Sequence, residues 1–365
     1  MNLPLCFENA YRGRTVLVTG HTGFKGSWLA LWLAGLGARV VGFALPPPTR
    51  PSHWELLAPS GVASVVGDVR DPAALAAAFA AHRPEVVFHL AAQPLVRRSY
   101  REPAETYTTN VTGTVNVFEA VRACPTVRAV VCVTSDKVYE NREAAAGYTE
   151  AAPLGGADPY SNSKACAELV ARCYRQAYFA PGTGGPLLAT ARAGNVIGGG
   201  DWAEDRLIPD AVRAASVGRA LQVRNPHAIR PWQHVLEPLT GYLLLGAKLL
   251  AGDAAAADAW NFGPDDDGNV EVNEVVTCAG EAWPAVRYEV IGNPTGPHET
   301  KVLKLDSAKA RAGLGWLPVW PWRDAVRHTV AWYRTYYETG GVASAADLGR
   351  YLADAEAAGC GWVGE

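Results

Sequence analysis

The sequence has no paired-cysteine spacing. Its seven cysteines, Cys6, Cys124, Cys132, Cys166, Cys173, Cys278 and Cys360, are odd in number and include no CxxC. That argues against a disulfide framework or a zinc ribbon and fits a reducing, cytoplasmic setting. No His, Cys, Asp and Glu group has metal-ligand spacing, so no metal is expected. Long apolar runs are missing too. The longest, such as 28–36 and 241–251, are too short or too interrupted to span a bilayer. The opening MNLPLCFENAYRGR lacks the apolar stretch of a signal peptide. Charge of one sign is scarce: 33 Lys and Arg against 36 Asp and Glu give −3. No basic excess points to nucleic acid or to an anionic membrane as partner.

What is present is apolar and ordered in pattern. Hydrophobic residues make up 49% of the 365 and charged residues 19%, which supplies a core and excludes a disordered chain. Runs at 15–19, 39–45, 62–66, 85–90, 128–134 and 187–191 read as strands. Segments 24–36, the Ala-rich stretch after Asp71, 103–123 and 162–178 read as helices. Strict alternation predicts right-handed βαβ crossovers, hence an α/β fold with a Rossmann-like, doubly wound parallel sheet. The alternation loosens after residue 197. Gly198-Gly199-Gly200 reads as a hinge. Residues 1–197 read as a dinucleotide-binding domain and 198–365 as a smaller substrate lobe, with part of 231–263 returning to the first domain.

Gly20-His-Thr-Gly23-Phe-Lys-Gly26 is a GxxGxxG between the first strand and the first helix. Glycine there permits positive φ and close backbone approach, and the helix N-terminus offers free N–H groups to a pyrophosphate. A tight strand-to-helix turn without a ligand is the bland alternative. The carboxylate that usually binds a ribose 2′-hydroxyl is absent: the second strand ends Gly42-Phe43-Ala44-Leu45. Arg39 and Arg50 lie near enough in sequence to leave a 2′-phosphate open. Asp68, in Gly-Asp-Val after the third strand, is either an acceptor for an adenine amino group or a turn residue.

Tyr160-Ser-Asn-Ser-Lys164 is a YxxxK, and on a helix its ends share a face. A cationic Lys164 beside the phenol is expected to lower the phenol pKa, so that Tyr160 acts as a base. An ordinary surface pair is the alternative, but Thr134-Ser135-Asp136-Lys137 follows the fifth strand and supplies partners.

GxxGxxG, Leu90-Ala91-Ala92, Asn110-Val-Thr-Gly113-Thr114, Ser135 and YxxxK together resemble the extended short-chain dehydrogenase/reductase family of NAD-dependent epimerases and dehydratases. GHTGFKGSWL (20–29), TSDKVYEN (134–141), DPYSNSKACAE (158–168), RAGNVIGGGDWAEDRLIPD (192–210) and NPHAIRPWQHVLEPL (225–239) resemble its 4,6-dehydratases acting on CDP-glucose. The likeness covers nearly all of 12–335, and 340–365 lies outside it.

The resemblance implies NAD as cofactor, held by Gly20, Thr22, Gly23, Phe24, Lys25 and Gly26, by Asp68 and Val69, by Leu90, Ala91, Ala92 and Gln93, and by Asn110, Tyr160 and Lys164. It implies a closed redox cycle on a nucleotide sugar, giving a 4-keto-6-deoxy product and water. Tyr160 takes the C4 hydroxyl proton, assisted by Ser135 and Lys164. Asp136 is the acid at C6. Lys137 stands where related dehydratases carry Glu. It is either the C5 base, which requires an uncharged amine, or a group that polarises the C4 ketone. Asn195, Arg206, Arg230, His234 and His298 are implied on the substrate. A homodimer built on 103–123 and 162–178, with Val111, Val115 and Phe118 on the first, is also implied. A 4-epimerase or 4-reductase of nucleotide sugars is the rival enzyme, and neither needs an acid at C6. A non-catalytic dinucleotide sensor would lack Tyr160 or Lys164, and both are present.

Overall fold

A computed structural model describes residues 4–59, 61–180, 182, 184–291 and 301–364. Seven strands form its main sheet: β1 (Thr15–Thr19), β2 (Arg39–Ala44), β3 (Ala63–Val66), β4 (Val86–His89), β5 (Ala129–Val133), β6 (Leu187–Arg192) and β7 (Ala259–Asn261). Their spatial order is β3-β2-β1-β4-β5-β6-β7, and every neighbouring pair is parallel. β4 and β5 are buried along their whole length, which is why they read as unbroken apolar runs. The order reverses between β1 and β4. At the carboxyl ends of these two strands the Gly20 turn packs against Leu90-Ala91.

Helix α1 (Phe24–Gly35) follows β1 and buries Trp28, Leu29, Trp32 and Leu33 completely. Helices α2 (Pro72–His82) and α3 (Gly113–Ala123) cover the other face around Leu75, Phe79, Phe118 and Val121. The expected helix 103–123 is not continuous. Pro103–Tyr107 leads into a π turn, Thr108–Thr112, before α3 begins. Such one-turn widenings re-aim a side chain, here Asn110. Helix α4 spans Pro159–Ala177 and so starts three residues before the expected 162. Asp158 caps it, accepting from the Ser161 N–H at 2.9 Å, and Pro159 occupies its first turn. Tyr160 therefore sits at the helix entrance, not ahead of it.

The second half adds α5 (Leu207–Ser216), α6 (Leu236–Leu250), α7 (Val272–Ala282) and α8 (Trp322–Thr339). Helix α6 packs on β5 and β6, and β7 extends the main sheet. One apolar cluster joins Val16 and Phe88 of the sheet to Trp316, Trp322 and Trp332. The Gly198–Gly200 run is a place of close packing and not the expected hinge. A β-carbon on Gly199 would lie 2.0 Å from the Trp332 ring, and one on Gly200 2.4 Å from His53. The tail forms α9 (Ser344–Ala357) and returns to the chain start. The Phe7 N–H donates to the Trp362 carbonyl at 2.8 Å and the two rings stack at 5.1 Å.

Candidate active site

Each glycine of the first turn answers a different demand. Gly20 has φ +78°, and a β-carbon on it would lie 2.8 Å from the Ala91 nitrogen. A β-carbon on Gly26 would lie 2.1 Å from the Gly20 carbonyl oxygen. Both glycines let the loop fold against its own backbone. Gly23 is open: its β-carbon would meet only the Gly20 oxygen, at 3.4 Å. It precedes α1, whose first N–H groups have no side-chain cap. An uncapped helix N-terminus behind an open glycine fits an anionic pyrophosphate group. Thr22 donates to the Leu45 carbonyl at 2.9 Å, and Phe24 and Lys25 are half-buried.

His21 turns beneath this loop. Its Nε2 meets Ser64 Oγ at 2.7 Å, and burial pushes its pKa down to about 4. It lies so close to Gly42 that a β-carbon there would come within 2.2 Å of the ring. Arg39 corrects the sequence reading. It begins β2, at the end of the strand opposite the glycine turn, and bonds Thr15 Oγ1 at 3.3 Å, so it offers nothing to a ribose phosphate. Arg50 lies on the exposed loop after β2. Asp68 is held by Arg70 through contacts of 2.5–3.0 Å, which keep its carboxyl below the ordinary range. Val69 is buried and its carbonyl accepts from Asn116 at 3.0 Å.

Leu90, Ala91, Ala92 and Gln93 follow β4 and form the other lip. A buried chain of hydrogen bonds fixes them. The N–H groups of Leu90 and Ala91 both donate to Thr19 Oγ1 at 3.1 Å. Thr19 contacts His89 Nδ1 at 2.7 Å, His89 Nε2 contacts Thr114 Oγ1 at 3.0 Å, and Thr114 donates to the Asn110 carbonyl at 2.7 Å. Only a neutral His89 with its proton on Nε2 satisfies that chain, and burial pushes its pKa down to about 3. Asn110 accepts from the Gln93 N–H at 2.8 Å and donates to Ser163 Oγ at 2.9 Å. The lip is thereby tied to α4, the helix that carries Tyr160.

Ser135, Asp136 and Lys137 form a tight turn after β5. Ser135 Oγ accepts from the Lys137 N–H at 3.2 Å and donates to Asp136 Oδ1 at 3.0 Å. Asp136 is 2% exposed, yet its Oδ2 has no hydrogen-bond partner among the described residues. Lys137 is half-buried. Tyr160 is buried, with its N–H bonded to Ser99 Oγ at 3.1 Å.

The expected lowering of the Tyr160 pKa is not found. Burial raises it. A hydrogen bond with Ser135 and the charge of Arg206 pull it back, while Asp136 raises it further. Lys164 donates to the Val133 carbonyl at 3.1 Å, and burial lowers its own pKa against the pull of Cys132 and Glu168. Arg206 pairs with Asp201 at 2.9 Å. Lys25 reaches the Tyr242 hydroxyl at 3.5 Å, and its pKa is pushed down to about 7 by burial and by the charges of Arg206 and Lys164. A phenol, a carboxyl group, a hydroxyl and the basic side chains of Lys25, Lys164 and Arg206 thus lie together near the uncapped start of α1. Among the described residues no group of His, Cys, Asp and Glu is placed to hold a metal.

Residues 17–329 match the GDP-mannose 4,6 dehydratase family. The chain belongs to that family. It is 48% identical over 333 residues to the CDP-glucose 4,6-dehydratase of Salmonella typhimurium, covering 90% of this chain and 93% of that one. It is 29% identical to a dTDP-glucose 4,6-dehydratase of Xanthomonas campestris, covering 88% of this chain and 93% of the relative. Among solved structures, the dTDP-glucose 4,6-dehydratase of Streptomyces venezuelae with NAD and TYD bound aligns with a TM-score of 0.73. It shares 26% identity over 88% of this chain and 97% of its own. The UDP-glucose 4-epimerase of Brucella ovis in complex with NAD aligns with a TM-score of 0.75, at 26% identity over 87% of this chain and 97% of its own.

The residues expected on a substrate of this dehydratase family fall into three groups. Asn195 follows Gly194, whose backbone packs against Asp136. It holds φ +45°, a conformation that Asn tolerates better than most residues. Arg206 faces Tyr160 electrostatically, and Arg230, half-buried, donates to the carbonyls of Ile229 and Lys301. His234 is a correction: it is wholly buried between Trp28 and Trp320, in the aromatic core, and burial pushes its pKa down to about 3. His298 lies outside the described residues. Sequence reasoning missed Ser99, His89 and Ser163, and it quoted Thr114 in a motif without giving it a role. Ser163 carried a signal in its i+3 spacing from Tyr160.

Proposed function

We propose that this chain dehydrates CDP-glucose to CDP-4-keto-6-deoxyglucose, with NAD as its cofactor. One observation carries the reading: a buried acid with an unpartnered oxygen, Asp136, sits in the same turn as Ser135 and beside Tyr160. Epimerisation or reduction at C4 has no use for an acid there. The 48% identity to a CDP-glucose 4,6-dehydratase supports the sugar nucleotide. The open Gly23 and the uncapped start of α1 support the cofactor.

NAD supplies a hydride acceptor for C4 and a hydride donor for C6. Tyr160 takes the C4 hydroxyl proton, with Ser135 beside the phenol. Burial alone would hold that proton on the tyrosine, and Ser135 and the charge of Arg206 are the groups that favour the phenolate. Once C4 is a ketone, the C5 proton is acidic. Lys137 removes it or polarises the ketone. Asp136 gives its proton to the departing C6 hydroxyl, and water leaves. Asn195 and Arg230 hold the nucleotide side, Arg230 by forked bonds to phosphate oxygens, and Arg206 meets the substrate nearer Tyr160.

Substrate deuterated at C4 should give product labelled in the C6 methyl group, and unlabelled substrate in D₂O should gain deuterium at C5. Label returned to C4 without loss of water would make the protein an epimerase. A requirement for added reduced cofactor would make it a 4-reductase.

The free state of all seven cysteines supports a reducing, cytoplasmic setting. A division into a cofactor-binding part, 1–197 with part of 231–263, and a substrate lobe is supported by β7 and α6 lying with the sheet. A homodimer through α3 and α4 is supported by Leu169, 53% exposed on α4. Val111 and Val115 are half-buried, but Phe118 is spent on the subunit's own core and cannot serve that contact.

A further inference from the structure

Glu168 lies on α4, one turn past Lys164 and two turns past Tyr160, and is 3% exposed. Its carboxylate takes three hydrogen bonds. Oε1 accepts from Thr134 Oγ1 at 2.5 Å, and Oε2 accepts from Thr190 Oγ1 and Arg192 Nη2, both at 2.8 Å. Thr134 is the residue before Ser135, and its N–H is bonded to the Ala191 carbonyl at 2.9 Å. Arg192 continues to the Tyr139 hydroxyl at 2.7 Å, and Tyr139 donates to Asn261 of β7 at 2.6 Å. One carboxylate therefore ties both ends of the segment 134–139 to the helix that carries Tyr160 and Lys164.

We propose that Glu168 is a positioning residue of the reaction, holding the Ser135–Lys137 turn in register with Tyr160 and keeping a negative charge beside Lys164. The inference rests on the dehydratase reading above. That reaction needs a phenol on one element and an acid and an amine on another to act in sequence on adjacent carbons of one sugar. Misplacement by an ångström is costly in such geometry. Burying a carboxylate with Arg192 is no efficient route to stability, since apolar residues of similar volume often do as well or better. Orientation and charge account for the choice. The groups facing Lys164 are Cys132 from β5, His89 from β4, Lys25 from α1 and Glu168 from its own helix. Glu168 favours the ammonium form. Without it, Arg192 stands unopposed and Lys164 loses its proton more readily.

The test uses the NAD-loaded enzyme, CDP-glucose, and the variants Glu168→Gln, Glu168→Asp and Thr134→Val. Single-turnover formation of reduced cofactor, NAD binding and the thermal midpoint are followed against pH. Glu168→Gln is expected to slow cofactor reduction about tenfold or more. It should also move the alkaline limb of both rate and NAD binding to lower pH by about half a unit or more. Glu168→Asp keeps the charge and should restore the limb. Thr134→Val removes the positional link alone and should slow the rate with the limb unmoved. A folded Glu168→Gln with parent rate and parent limb overturns the proposal. So does a rate loss matched by loss of folded protein with the limb unmoved. If Glu168→Gln does not fold, a parent-like rate in Thr134→Val overturns it. Failure of the parent to reduce its cofactor with CDP-glucose would sink the dehydratase reading instead, and the pH dependence of NAD binding would still test Glu168.

Discussion

Asp136 and Gly194 are packed face to face: a β-carbon on Gly194 would lie 1.7 Å from Oδ2 of Asp136. The bare backbone lets a buried carboxyl keep that oxygen unpartnered, while Oδ1 is engaged by Ser135. Gly194→Ala is expected to displace the acid and cut 4-keto-6-deoxy product formation by about 100-fold. Reduced cofactor should still form. Parent-like product yield would reject the role given to Asp136.

Tyr160→Phe removes one oxygen from a buried ring, so packing is conserved. The variant is expected to keep its thermal midpoint and its NAD affinity and to lose cofactor reduction by about 100-fold or more, the usual scale of a lost general base. Turnover within a few-fold of the parent would remove Tyr160 from the first step.

Lys137 sits in the turn with Asp136, one residue beyond it. Lys137→Ala is expected to form reduced cofactor and a 4-keto hexose and then stall before water leaves. Rapid-quench analysis of the sugar distinguishes this from a variant that never reduces NAD, which would assign Lys137 to binding or to the oxidation.

Acid should unfold the protein early. Burial pushes His21, His53, His89 and His234 down to about 4, 3, 3 and 3. The unfolded chain protonates histidine near pH 6.5, so unfolding takes up protons across this window and stability falls as pH falls through it. Glu237 and Asp347 run the other way. Burial raises them to about 7 and about 6, so their contribution fades as pH rises from their unfolded values. Four groups against two leave an uptake of roughly two protons near pH 5, or about 3 kcal/mol per pH unit. Urea midpoints at pH 4.5, 5.5 and 6.5 should rise in that order, and a flat or falling series would contradict the burial of these histidines.

Leu169 on α4 tests the dimer. Leu169→Arg leaves the subunit core untouched, because this side chain is exposed. Light scattering should report dimer for the parent and monomer for the variant at micromolar concentration. A monomeric parent would remove the dimer from the account.

Local geometry was written into the chain in full view. The GxxGxxG, the apolar strands and the i, i+4 spacing of Tyr160 and Lys164 each encode a turn, a pleat or a helix face over a few residues, and such features survive in one dimension. Other relations join residues far apart along the chain. Gly194 makes room for Asp136, Glu168 anchors Thr134, and Ser99 receives the Tyr160 N–H, each across an interval that no motif spans. His234 belongs to a recognisable string yet ends in the aromatic core, because burial depends on what folds over it. The pKa of Tyr160 went against expectation for the same reason. Spacing placed a lysine one turn away, but the surrounding side chains decided how far water was excluded and where the lysine's proton was directed.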